Sequence, residues 1–281
     1  MRITDRSIRY REMVLILFPP KLPSKIRVLT LLALALAVAD SQAKAPTRSA
    51  IQLNDRVRIT PRRVVLVRTG QLAKERPTRT RAVVVYPVVG GLADATVLNK
   101  VRRIIAVKNV FGSTLKQYRD DWWLDEFGYT VNHNGNYILD ITFTQSGRAA
   151  YPDVQTRHFA IDLKNGNVLK AADVFDSSGL EKLVEILNGK LQKEVASLSM
   201  KAKTELIKED ATNTVDALEL QKFESKDLDN FSVGKTGITF LYDAGFPQVI
   251  AAYEPSGKYF MSYAELKPFI KRNGMLWQFL S

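Results

Sequence analysis

Tyr137-Ile138-Leu139-Asp140-Ile141-Thr142-Phe143-Thr144 is the stretch whose reading decides the fold class. Tyr137, Leu139, Ile141 and Phe143 put four large apolar side chains on one parity, while Asp140, Thr142 and Thr144 fall on the other. That period of two is the pattern of a half-buried strand. Asn134-Gly135 before it and Asn165-Gly166 after it are hairpin signals, because both central residues of a type I′ turn need positive φ. The core is expected to be an antiparallel sheet.

Downstream, Phe159, Ile161 and Leu163 alternate as the next strand, reached through a loop from Gly147 to Asp153. Upstream, Arg63 to Arg68 reads as a strand and Arg79 to Val85 as its partner, joined by a polar connection from Gly70 to Pro77. After Gly90-Gly91 a helix is expected over Asp94 to Tyr118, since Val97, Val101, Ile104, Ile105, Phe111, Leu115 and Tyr118 recur at spacings of three and four. Ser178 and Glu181 form a capping-box pair opening a second helix, to Leu198, whose stripe includes Leu183, Leu187, Leu191 and Val195. A third, partly exposed helix is expected around Val215 to Phe223. Strands at Ile238–Tyr242, Gln248–Tyr253 and Tyr259–Tyr263 and a short helix from Ala264 to Ile270 complete the chain. The expected class is α+β, an antiparallel β-sheet packed against two main amphipathic helices.

The 281 residues are 46% hydrophobic, ordinary for a globular chain, but the charge is uneven. Residues 1–85 hold 18 Lys and Arg against 5 Asp and Glu; the remainder holds 23 against 24. The basic balance therefore belongs to the beginning of the chain, which argues against a nucleic-acid-binding domain. Lys21, Lys25 and Arg27 precede an apolar run from Val28 to Ala39, with small residues at Ala37 and Ala39 or Ser41 and Ala43 for cleavage. Residues 1–43 read as a signal peptide; an uncleaved anchor, or a true start at Met13, is the other reading. Residues 44–62 read as a flexible basic arm, 63–272 as the folded domain and 273–281 as a C-terminal tail. A periplasmic or secreted protein follows, with no transmembrane span in the mature chain. There is no cysteine, which removes disulfides and thiolate chemistry together.

No catalytic residue is assigned. His133 and His158 are the only histidines, and Asp153 beside His158 lacks third and fourth ligands, so neither metal nor cofactor is expected. His158 reads as a polar-face strand residue. Asp120-Asp121-Trp122-Trp123 reads either as an acidic, aromatic sugar-binding edge or as a helix exit with buried indoles. The arginine-flanked hairpin reads as attraction to an anionic surface or as charged strand edges that discourage aggregation. Two loops carry the ligand-binding candidates: Tyr151, Pro152 and Asp153 in one, Phe246 and Pro247 in the other. Aromatics on prolyl loops either contact a ligand or fold back to cap the sheet.

Tyr86-Pro87 leading to Gly90 and a helix, Phe159 to Phe175 with Asn165-Gly166 and Asp173-Val174-Phe175, and then Phe240 to Leu266 resemble a family of bacterial extracytoplasmic domains. That family includes the lysozyme-binding domain of RsiV-type anti-sigma factors and the N-terminal domain of PdaC-type deacetylases. The resemblance covers roughly residues 63 to 270. Where members often carry a Gly-Ala-His-like element, the loop here is Gly147 to Asp153, without histidine. The resemblance implies an exported, non-enzymatic envelope module that binds peptidoglycan, another wall polymer or a lysozyme-like protein. The rival is an envelope glycan hydrolase or deacetylase using Asp120, Asp121, Asp125 and Glu126.

Overall fold

A computed structural model describes residues 55–148 and 152–280. The signal-peptide reading of residues 1–43, much of the basic arm and Tyr151 lie outside the described residues. The fold is α+β. In chain order its elements are β1 (Arg58–Val67), α1 (Gln71–Glu75), β2 (Arg81–Gly90), α2 (Ala95–Ile104), α3 (Val107–Phe111), α4 (Leu115–Asp120), β3 (Leu124–Gly135), β4 (Ile138–Arg148) and β5 (Pro152–Asp162). There follow α5 (Ala171–Val174), α6 (Leu180–Glu205), α7 (Lys208–Glu219), β6 (Phe231–Val233), β7 (Gly237–Leu241), β8 (Lys258–Ser262) and α8 (Tyr263–Leu266).

Among the described residues the strands form two sheets rather than one. The first has the order β1-β2-β3-β4-β5 and the second β6-β7-β8. Every pairing is antiparallel except β2 with β3, a short parallel contact at Val83↔Glu126 and Val84↔Phe127. The β1–β2 hairpin has the expected partners, with β1 starting earlier, at Arg58. Its buried parity changes along its length: Leu66, Ala82 and Val84 are buried at one end, Val57, Pro87 and Val89 at the other. The change falls near the paired Pro61 and Pro87, a rung with no N–H to donate.

The central hairpin turns two residues later than its Asn-Gly signal. Asn136 and Tyr137 take the positive φ values, 53° and 59°, and Gly135 pairs with Ile138. Asn134 is engaged elsewhere: its Nδ2 donates to the Val57 carbonyl at 2.8 Å and its Oδ1 accepts from Val57 N at 3.1 Å. A shift of two preserves parity, so Leu139, Ile141 and Phe143 still share one face. At the second signal, Gly166 has φ 76° and a Cβ there would lie 2.9 Å from Lys100 Cβ, but it closes a longer loop, with Gly166 N donating to Asp162 O at 2.7 Å.

The expected helix over Asp94 to Tyr118 is three helices. Asp94 caps the first, accepting from Thr96 and Val97 N; Gly112 at φ 84° ends the second; Thr114 and Gln117 form a capping box that starts the third. Ser178 and Glu181 form no such box. A 3-10 turn at Ser177–Gly179 displaces the start of α6, and its N-cap is Gly179, where a Cβ would meet Phe269 at 2.9 Å. α6 runs on to Glu205, and the third helix lies at Lys208–Glu219. Gln248–Tyr253, expected as a strand, is a 3-10 helix: Pro247 presets its entry, and β8 pairs directly with β7.

Among the described residues two large apolar clusters result, with a small third one around Ala202, Val215 and Tyr253. One lies between the helix layer α2–α4 and the first sheet, around Phe127, Leu139, Ile141 and Phe143. The other lies under α6 and the second sheet, around Leu187, Phe231, Phe240 and Leu266, and takes in Ile138 and Ala160 from the first sheet. Thus α2–α4 cover one face of the first sheet, while the second sheet covers only the Ile138–Asp140 end of the other.

Candidate functional site

Opposite residues of an antiparallel ladder share a face, so the second face of the first sheet can be followed strand by strand. One rung is Val65↔Val83, Val83↔Glu126, Glu126↔Ser146, Ser146↔Val154. On the rungs beyond it lie Gly128, Thr144 and Thr156, then Thr130, Thr142 and His158. Val67 opposite Arg81 and Arg148 opposite Pro152 close the far end. Val65 is 38% exposed, Val67 52% and Val154 65%, and Thr130, Thr144 and Thr156 are all exposed. This is an aliphatic and hydroxyl-bearing surface without a covering layer among the described residues.

Where the second sheet begins, the face changes character. Asp140 is fully buried, its Oδ1 accepting from Asn132 Nδ2 at 2.7 Å and Ser232 Oγ at 3.0 Å, its Oδ2 from Val233 N at 2.6 Å. The His158 ring, only 4% exposed, holds Nε2 3.2 Å from Asp140 Oδ2, a close approach without hydrogen-bond geometry. Its Nδ1 shares a hydrogen with Thr142 Oγ1 at 2.9 Å, and Asn132 Nδ2 also donates to that oxygen. Removing so engaged a carboxylate would leave these donors without an acceptor. Close by, burial and then the Asp140 charge push the Tyr263 phenol up; its hydroxyl donates to Gly234 O at 2.8 Å. His133, the other histidine, lies edge-on to Phe279, whose ring stacks on Tyr263 at 5.0 Å.

Beyond the last β1–β2 rung two arginines tie the end of the sheet to the connection between α4 and β3, Arg68 from the helix-covered side. Arg68, 3% exposed, donates to the carbonyls of Tyr118, Leu124, Arg79 and Arg119, and its guanidinium lies 5.3 Å from the Trp122 ring centroid. Burial, then the neighbouring Arg79, draws its pKa down. Arg79 donates to the carbonyls of Trp122, Trp123 and Arg148 and pairs with Asp125 at 3.3 Å. Trp122 is buried at φ 56° and Trp123 half-buried against the sheet, as the helix-exit reading requires.

Pro152 is exposed at the start of β5, on the edge of this face, and Asp153 is half-buried, its carboxylate accepting from Gln155 Nε2 at 3.0 Å. Phe246 is half-buried against the cluster under α6, and Pro247 is exposed at the entry to the 3-10 helix. The two loops thus belong to different sheets. His158, expected on a polar strand face, is on the face shared with Thr142 but buried at the seam. Of the four carboxylates in the rival reading, Asp120 pairs with Arg119 at 2.9 Å, Asp125 with Arg79, and Glu126 stands on the open face. Two clefts lie elsewhere, one of about 410 Å³ at the α6–α7 corner and one of about 390 Å³ between Asn165–Leu169 and Gly274–Gln278. In the second, burial raises the Asp162 pKa, but both carboxylate oxygens already accept hydrogen bonds, from Lys164 N and Asn165 Nδ2.

Sequence reasoning missed the Asp140–His158 seam and the extent of the open face. The shared parity of Asp140, Thr142 and Thr144 was the available signal; it marks a polar face without saying which part of it is covered.

No family model and no curated protein matches the chain. In fold it is similar to two crystal structures of DUF3298 family proteins. One, from Bacteroides fragilis, gives a TM-score of 0.48 at 15% identity, covering 81% of this chain and 99% of that one. The other, from Pseudomonas aeruginosa PAO1, gives 0.48 at 11% identity, covering 79% and 97%. Among the described residues no helix is long and apolar enough to cross a membrane.

Proposed function

We propose that this chain is an exported, non-enzymatic binding module of the cell envelope that holds a wall polymer on the open face of its first sheet. The observation that carries the reading is the contrast within one face: the Asp140 end is buried under the second sheet, while Val65, Val67 and Val154 stay exposed on the rest. Val65 and Val67 stand on β1 and Val154 on β5, with Glu126 and Ser146 between them on one rung, so the uncovered face alternates aliphatic and polar groups across its whole width, as an extended polymer would require. The ordered signal-peptide zones in residues 1–43 and the resemblance to RsiV-type and PdaC-type extracytoplasmic domains support export and an envelope role. A lysozyme-like protein is the other ligand class that resemblance suggests.

The test is retention. The full chain and a Thr144→Glu/Val154→Glu variant are expressed in a bacterium that exports them, and envelope and soluble fractions are compared. The wild-type chain is expected in the envelope fraction, and the variant is expected to shift to the soluble exported fraction with its thermal midpoint unchanged. Equal retention of both, or recovery of the wild-type chain in the cytoplasm with its leader intact, refutes the reading.

A further inference from the structure

The hairpin that forms one edge of the open face is strongly basic: residues 55–81 carry nine Lys and Arg against two acidic residues. Several of these are committed internally. Arg68 and Arg79 serve carbonyls, Arg56 pairs with Asp55 at 2.9 Å, and Arg62 lies over the Tyr86 ring at 5.9 Å. Arg63 and Arg81 are different: both are exposed, both are on the open face by register, and neither side chain has a hydrogen bond or ion pair to any described residue. Arg148, exposed at the end of β4, is the third such group.

Their spacing follows from sheet geometry. Arg63 faces Val85, four residues along β2 from Arg81, so the two Cα atoms stand about 14 Å apart, about 13 Å along the strands and one strand spacing across. Arg81 and Arg148 lie on strands separated by β3, about 10 Å apart. Extended guanidinium groups at those positions offer three separate positive points around an aliphatic and hydroxyl surface. Glu126, in the middle rung, keeps the centre from being positive and leaves the charge at the rim. A single small anion meets one such point; a chain bearing repeated anions meets all three. Guanidinium is suited to phosphate, which it grips through two parallel hydrogen bonds.

We infer that the open face takes a linear, phosphate-bearing polymer, held at its rim by Arg63, Arg81 and Arg148 and lying over Thr144, Thr156 and Val154. The inference rests on the envelope-binding reading and names the ligand class for the same face. A polymer rather than a phospholipid surface is the occupant, because the positive points stand on three different strands and the exposed aliphatics beside them, Val65 and Val67, are short.

The experiment measures binding of the purified full chain to fluorescein-labelled linear polyphosphate over a range of salt, beside vesicles of phosphatidylcholine and phosphatidylglycerol. Three proteins are compared: wild type, Arg63→Ala/Arg81→Ala, and Arg103→Ala, which removes an exposed charge from α2 on the opposite layer. The wild type is expected to bind polyphosphate. The double variant should bind at least tenfold more weakly, with a slope of log affinity against log salt smaller by about two. Arg103→Ala should match the wild type. A loss in Arg103→Ala as large as half that of the double variant means net charge alone is at work and overturns the inference, as does tighter binding to the vesicles than to polyphosphate. If polyphosphate is not bound while Thr144→Glu/Val154→Glu still abolishes envelope retention, the polymer assignment fails and the binding-module reading stands. If retention is also unaffected, both fail.

Discussion

Asp140 and Thr144 lie four residues apart on one strand and point to the same side of the sheet, yet Asp140 is wholly buried and Thr144 is exposed. Around Asp140 the second sheet has docked, and the donors that reach the carboxylate come from strands other than its own: Asn132 from β3, Ser232 and Val233 from β6, with His158 of β5 alongside. Around Thr144 the cross-strand neighbours Gly128 and Thr156 are small, and no described layer lies above them. One face of one sheet thus serves as an internal joint at one end and as a surface at the other. A polar parity can be kept for either purpose, and burial decides which.

The contrast can be broken most directly at Asp140. Asp140→Ala leaves Val233 N, Ser232 Oγ and Asn132 Nδ2 without their acceptor and removes the carboxylate beside the His158 ring, and should destabilise the fold by about 3–5 kcal/mol. Urea unfolding followed by tyrosine and tryptophan fluorescence measures it; a cost under about 1 kcal/mol would mean the joint is held by apolar packing alone.

A second test concerns the helix-covered face, where Tyr118 donates to Gln145 Oε1 at 2.6 Å. Burial pushes this phenol from 10.0 up to about 12. Because the folded-state value is raised, its contribution to stability is complete below pH 10 and is lost as pH rises through about 12. Tyr118→Phe should cost about 1 kcal/mol at neutral pH from the lost hydrogen bond. Since Phe cannot ionise, it should also lessen the fall in stability between pH 10 and 12. Denaturant midpoints across the alkaline range report this, and an identical pH profile for both proteins would place Tyr118 in contact with solvent.

The smallest effect belongs to the open face. Thr144→Ser and Val154→Thr should each change stability by no more than about 0.5 kcal/mol, because no neighbour is lost. A loss comparable to that of Asp140→Ala would show that this part of the face is covered too, and would erase the difference from which the binding site is argued.

Much of the architecture was legible. The alternation in Tyr137–Thr144 gives the central strand its correct faces, and the stripe from Leu183 to Val195 gives the long helix its buried side. The errors cluster at boundaries, each for a local reason. Asn134 is drawn out of the turn by its bonds to Val57, Gly112 and Thr114 break a helix whose apolar spacing continues across them, and Phe269 crowds the chain at Gly179. Of the candidate loops, Pro152 falls on the edge of the open face, whereas Phe246 packs into the cluster under α6. An aromatic beside a proline has the same local signature in either setting.

What the sequence determined by itself is whatever depends on neighbours along the chain: strand parity, helix faces, the absence of thiols and the concentration of arginines around the first hairpin. Only the tertiary structure decided that the strands divide between two sheets, that β2 meets β3 in parallel, and that Asp140 and His158 are buried while Thr144 is not. Parity is set by a two-residue repeat of the backbone. Coverage is set by contact between β4 and β6, segments some ninety residues apart, and no local pattern encodes which part of a face such a partner will reach.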